Sequence, residues 1–191
     1  MQIKPPIYNK KFNNIDNLDH LDPLIARILS ARGIKKKEDY TYALCNLAPI
    51  SSLEFIPEAV QLILDNKEKE ILIVGDYDVD GATSTALLYK YFLLIKQKIH
   101  TYIPDRQKEG YGPNIDGFDF LIHQGAKIIF TVDCGTLSFE AIDYAKDKNI
   151  DVIVLDHHQS EINLPKAYSV VNPNRLDEKS DLQYLCAAGV S

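Results

Sequence analysis

The feature that most constrains this chain is an alternation that begins at Glu70. ILIVGD at 71–76, AKIIFTVD at 126–133 and DVIVLD at 151–156 are short β-branched runs, and each contains an aspartate where the run closes. IHTYIP at 99–104 and YSVVNP at 168–173 read as two further strands. Helix-length segments at 82–96, 115–124 and 138–148 lie between them. Strands joined through helices of this length pair in parallel, and near-continuous apolar strands belong to a sheet buried on both faces. The expected fold is therefore α/β, a parallel sheet with helices on both faces, over residues 69–191. A short helical segment over 1–68 is expected to precede it. There Asp22-Pro23 opens an apolar-periodic run through Leu24, Ile25, Ile28 and Leu29 that stops near Gly33, and Pro57 starts another through Ile63 and Leu64.

The aspartates at the strand ends carry the first functional signal. Asp76, Asp133 and Asp156 each follow an apolar run. Ligands of open α/β sheets bind outside the carboxyl ends of the strands, so three strands deliver carboxylates to one edge. In GDYDVDG at 75–81, Asp76, Asp78 and Asp80 alternate and would share a face of extended backbone. Like charges that close raise one another's pKa unless a cation intervenes, and hard divalent cations take oxygen ligands. An EF-hand loop is excluded, because Leu87 stands where its closing glutamate would be. His157 and His158 follow Asp156 at a strand end. Imidazole with carboxylates suits manganese, zinc or iron, and mixed ligation of two metals is a common device for phosphoester hydrolysis. His20, His100 and His123 lie at no such position and read as surface or structural residues. The plain alternative for GDYDVDG is an aspartate-rich turn.

Composition sets limits on this reading. The chain has 191 residues, 46% hydrophobic and 25% charged, as in ordinary globular proteins. Its net charge of -6 argues against nucleic-acid binding unless bound cations offset the carboxylates. Three widely spaced cysteines make neither a disulfide framework nor a zinc site, so a reducing cytoplasm is the expected location. MQIKPPIYNKKFNN lacks the apolar core of a signal peptide, and the run from Ala86 to Ile95 is too short to span a bilayer.

The motifs GDYDVDGATSTALL, YIPDRQKEGYGPN, TVDCGT, LDHHQ and VVNPN stand in the order seen in the RecJ family of the DHH phosphoesterase superfamily. DPLIARILSARGI also resembles the segment that precedes the catalytic core in that family, so the likeness covers about residues 20–191. The resemblance implies a metal-dependent 5′-to-3′ exonuclease that hydrolyses single-stranded DNA to mononucleotides in repair and recombination. It implies a two-metal site for Mn²⁺ or Mg²⁺. Asp76, Asp78, Asp133 and His157 map to metal ligands, with Asp133 as the bridging carboxylate. His158 maps to a group near the scissile phosphate or the leaving oxygen, and Asp156 to the acceptor that orients a histidine. Asp80 is either a further ligand or a residue that shapes the loop. Gly81, Thr83 and Ser84 open a helix whose N-terminus would hold a phosphate, while an ordinary helix cap explains them equally. Arg106 would pair with a phosphate and Tyr111 would stack on a base, against the alternative of a surface turn. Single-strand-binding protein and a RecQ-type helicase are the partners the likeness implies.

Two departures qualify the resemblance. The family's fourth motif, its DHHA1-type domain and its oligonucleotide-binding fold are not in the sequence, which stops at CAAGVS, so an incomplete and weakly active or inactive fragment is expected. Leu72 stands where the DHH pyrophosphatases carry a histidine, which counts against that activity. Three rivals remain. One is a small-substrate phosphoesterase acting on short oligonucleotides or a nucleotide 3′-phosphate. Another is a non-catalytic, metal-binding scaffold. The last is a receiver-like domain, in which the paired histidines would have no role.

Overall fold

A computed structural model describes residues 18, 20–34, 37–41, 45 and 47–191 of the chain. It divides into two compact units, Met1–Pro49 and Ile50–Ser191. In the first, helix α1 spans Pro23–Ala31. Asp22 caps it by accepting the N–H of Leu24 at 2.8 Å, and Pro23 follows in the first turn, where a missing N–H costs nothing. His20 bonds Tyr40 at 2.7 Å. Most of the expected helical segment before α1, and part of KKKED, lie outside the described residues.

The second unit begins earlier than the expected boundary at 68/69. Helix α2, Ile56–Asp65, packs on the last strand of the sheet. Ser169 donates its hydroxyl to the carbonyl of Phe55, and the guanidinium of Arg175 stacks 3.5 Å from the Phe55 ring. Residues 50–68 therefore share the core of the sheet unit.

Five strands form one parallel sheet: β1 Ile71–Gly75, β2 Ile99–Tyr102, β3 Ile128–Val132, β4 Asp151–Leu155 and β5 Ser169–Val171. Their order is β2-β1-β3-β4-β5. The connecting helices are α3 Val79–Leu94, the short α4 Arg106–Glu109, α5 Ile115–His123 and α6 Phe139–Asp147. A four-residue helix, α7 Ala187–Val190, closes the chain. Alternate strand residues serve opposite layers. Leu72, Val74, Ile129, Val152 and Val154 pack with Phe118 and Leu121 of α5 and Ala141, Ile142 and Ala145 of α6. On the other face Phe92 of α3 meets Phe130 of β3 with ring centroids 5.4 Å apart. The α/β expectation holds, with helices on both faces. Among the described residues, no helix is long and apolar enough to cross a membrane.

The strand order fixes where a site can form. From β1 the chain crosses to β2 on one side, then returns to β3 on the other. This reversal opens a crevice between β1 and β3 at their carboxyl ends. Asp76 and Asp133 stand one residue past those two strands, and Asp156 one residue past β4. Each extends the ladder by one bond: Asp76 N–H to Val132 O, Asp133 N–H to Leu155 O, and Asp156 N–H to Val171 O, at 3.0–3.2 Å.

Candidate metal centre

Two groups of side chains converge at the crevice. Ligand atoms of Asp76, Asp78 and Asp133 lie within 4.8 Å of one another, as do those of Asp133, His157 and His158. Asp133 belongs to both. Its residue is 1% exposed, and its Oδ2 is buried with no hydrogen-bond partner. Its backbone is left-handed, with φ at 61°, a conformation aspartate tolerates better than most residues. His157 Nε2 stands 3.1 Å from Asp133 Oδ1.

The charges are unbalanced. Burial pushes the Asp133 carboxyl up to about 7, and the facing Asp78 and Asp80 carboxylates push the same way. Asp76 is raised too, first by burial. Asp78 is lowered, chiefly by the N–H of Gly81. A buried carboxylate oxygen without a donor, among other carboxylates, is costly to leave alone. A divalent cation would supply the missing partner, and oxygen ligands with imidazole fit manganese, iron or zinc. The residues therefore fit a metal.

The helix α3 starts at Val79, earlier than the expected 82, and this changes the reading of GDYDVDG. The three aspartates do not alternate on extended backbone. Asp78 is the N-cap, with Oδ1 accepting from the N–H groups of Asp80 and Gly81 at 2.9 and 3.0 Å. Asp80 lies in the first turn and accepts from the N–H groups of Ala187 and Ala188 at 2.7 and 2.9 Å, while its Oδ2 is 3.5 Å from His157 Nε2. Asp80 thus binds the start of α7 beside the metal groups.

The phosphate-binding expectation for this turn finds no support in the geometry. The Gly81 N–H is taken by Asp78, and the hydroxyls of Thr83 and Ser84 donate to the carbonyls of Val79 and Asp80 at 2.7 Å. Gly81 and Ser84 are also buried. Gly81 serves packing instead, because a Cβ there would lie 2.4 Å from the carbonyl oxygen of Asp76.

Asp156 is 1% exposed and turns inward. Its Oδ1 accepts from the N–H groups of His157 and His158 and from Nδ1 of His158 at 2.7 Å, while Oδ2 takes the N–H of Thr136 at 3.0 Å. Burial opposes its charge, but the bonds from His158 and Thr136 outweigh it and hold the carboxyl at about 2. The hydrogen bond to Asp156 in turn raises the pKa of His158.

Tyr111 reaches the same place. Gly110 and Gly112, with φ of 85° and 76°, turn the chain on either side of it. Its hydroxyl donates to Asp133 O at 3.1 Å and stands 3.4 Å from His158 Nε2. Arg106, at the start of α4, is exposed and lies over the Tyr77 ring at 5.0 Å. His100 and His123 bond Glu70 and Asp119 instead of the centre. Sequence reasoning did not single out Thr136, Asn172 or Asn174. The motifs TVDCGT and VVNPN hold all three, and their position just past β3 and β5 was the available signal.

Residues 70–191 match the model of the DHH family, N-terminal domain. The single-stranded-DNA-specific exonuclease RecJ of Haemophilus influenzae is 36% identical over 158 residues, 80% of this chain and 27% of that protein. RecJ of Escherichia coli is 33% identical over 174 residues, 90% of this chain and 30% of that protein. The chain thus spans less than a third of the length of these relatives. A crystal structure of exonuclease RecJ bound to manganese superposes with a TM-score of 0.67 at 29% identity, covering 75% of this chain and 37% of that one. RecJ from Thermus thermophilus in complex with Mn²⁺ gives 0.66 at 27% identity, over 90% of this chain and 24% of that one. The chain belongs to the DHH family, and within that family it is the RecJ exonucleases that it resembles.

Proposed function

We propose that this chain carries the metal-binding core of a 5′-to-3′ exonuclease that hydrolyses single-stranded DNA to mononucleotides in repair and recombination. The observation that carries the reading is Asp133: one buried carboxylate, with an oxygen lacking any partner, belongs to both ligand groups. Its relatives of known activity are single-stranded-DNA exonucleases, and two of its structural neighbours hold manganese.

In this reading Asp76, Asp78, Asp133 and His157 would hold the cations, Mn²⁺ or Mg²⁺, and Asp133 would contribute to both ligand groups. When bound, the metals lower the pKa of a water and neutralise charge on the phosphoryl oxygens. Asp156 holds His158 by Nδ1, which raises its pKa and leaves Nε2 to serve as a proton donor for the leaving oxygen. Tyr111 and Arg106 flank the crevice, where an aromatic face suits a base and a guanidinium a phosphate. The same reading makes single-strand-binding protein and a RecQ-type helicase its partners, and the cytoplasm its location.

The test is release of mononucleotides from a long, 5′-labelled single strand in Mn²⁺, with duplex DNA and a dinucleotide alongside, using the protein at the length its gene encodes. Release from the long single strand alone is expected. Asp133→Ala should abolish it, and wild-type activity in that variant would falsify the assignment. Cleavage of the dinucleotide alone would place the same metal centre in a small-substrate phosphoesterase.

A further inference from the structure

Beyond Asp156, the loop bearing His157 and His158 is held by groups from two other strand ends. Asn172 follows β5, is fully buried, and uses its carboxamide three times. Nδ2 donates to Thr136 Oγ1 and to His158 O, both at 2.9 Å, and Oδ1 accepts the N–H of Asn174 at 2.7 Å. A peptide carbonyl only accepts and a peptide N–H only donates, so the amide has one possible orientation. Asn174 donates from Nδ2 to His157 O at 2.5 Å. Thr136, which receives Asn172, donates its own N–H to Asp156.

These bonds form a closed circuit. Asp156 accepts from the peptide N–H groups of both histidines, and Asn172 and Asn174 donate to their peptide carbonyls. The sheet does not need the circuit, because the last bond of the β4–β5 ladder, Asp156 N–H to Val171 O, is made before His157 is reached. What it fixes is the direction in which the two imidazoles leave the backbone. Only a carboxamide serves at 172: aspartate has the shape but no N–H to give Thr136 and His158, and serine is too short and has no second arm.

The structure assigns Asn172 as the positioning residue of the His157-His158 pair, with Asn174 and Thr136 completing the clamp. The assignment rests on the metal-centre reading only for what the histidines are held to do.

Its test has a metal-free and a metal-bound readout. In the metal-free chain, Asn172→Asp should speed amide hydrogen exchange at His157 and His158 about tenfold, while Val152 to Leu155 stay protected. In a Mn²⁺ titration followed by the EPR signal of free manganese, affinity should fall about 10–100-fold, as when a partner orienting a ligand is lost. Thr136→Val should act in the same direction, and Thr136→Ser, which keeps the acceptor oxygen, should restore both readouts. If Asn172→Asp does not fold, the two threonine variants carry the comparison. Unchanged protection at His157 and His158 would overturn the clamp, and so would loss of protection in step with β4. A wild-type chain that takes up no Mn²⁺ would count against the metal centre, while the exchange comparison would still decide the clamp.

Discussion

Asp133 is held against its own electrostatic preference. It is buried, in left-handed backbone, with one oxygen unpartnered and two carboxylates facing it. Asparagine has nearly the same shape, tolerates the same φ, and removes the charge. Asp133→Asn should therefore make the metal-free chain more stable at neutral pH, because no charge is buried and the carboxamide N–H can donate to a facing carboxylate, by about 1–3 kcal/mol. Urea melts in EDTA check this, and an equal or lower midpoint would refute it. The same variant should lose Mn²⁺ uptake. At this scale the sequence was most legible where residue chemistry is rare, as with aspartates and paired histidines one step past apolar runs. It was misleading for the backbone of GDYDVDG, because alternation was read as extended backbone where a helix had already begun. Asn172 was invisible in its role: its bonds go to peptide groups and a hydroxyl, which leave no mark on the spacing of residue types.

At the scale of elements, the site depends on how closely α3 approaches the end of β1. Gly81 allows that approach, since a Cβ there would meet the backbone N, C and O of Asp76 at 2.4–2.7 Å. No side-chain rotamer relieves a backbone clash. Gly81→Ala should cost about 1–3 kcal/mol by overpacking and also weaken Mn²⁺ binding, because what must shift is the segment bearing Asp76. Retained affinity together with retained stability would refute this. The strands and long helices were legible from periodicity. The early start of α3 was not, because Asp78 is at once a candidate ligand and a helix cap, and the spacing allows either. The four-residue helices α4 and α7 are too short to show a period at all.

For the whole molecule, the balance of charge is one that a bound divalent cation would stabilise. The net charge is -6, and several of the carboxylates meet at one end of the sheet. A ligand that binds only the folded state stabilises it by about 2.7 kcal/mol at a hundredfold excess over Kd. Mn²⁺ should therefore raise Tm by about 5–10 °C, with reversal by EDTA and no effect of sodium at matched ionic strength. A scanning melt with those three additions decides it. The parallel α/β class was legible from alternation alone. The order β2-β1-β3-β4-β5 was not, since a chain can cross to either side of β1 with the same local pattern.

That order has one more consequence. β1, β3 and β4 are consecutive neighbours, so Asp76, Asp133 and Asp156 hang from adjacent rungs about 4.8 Å apart. The hydrogen-bond ladder serves as the ruler of this carboxylate edge. A change to this ruler requires the backbone itself to move, as Gly81→Ala would make it, whereas the clamp around the histidines can be retuned one hydrogen bond at a time.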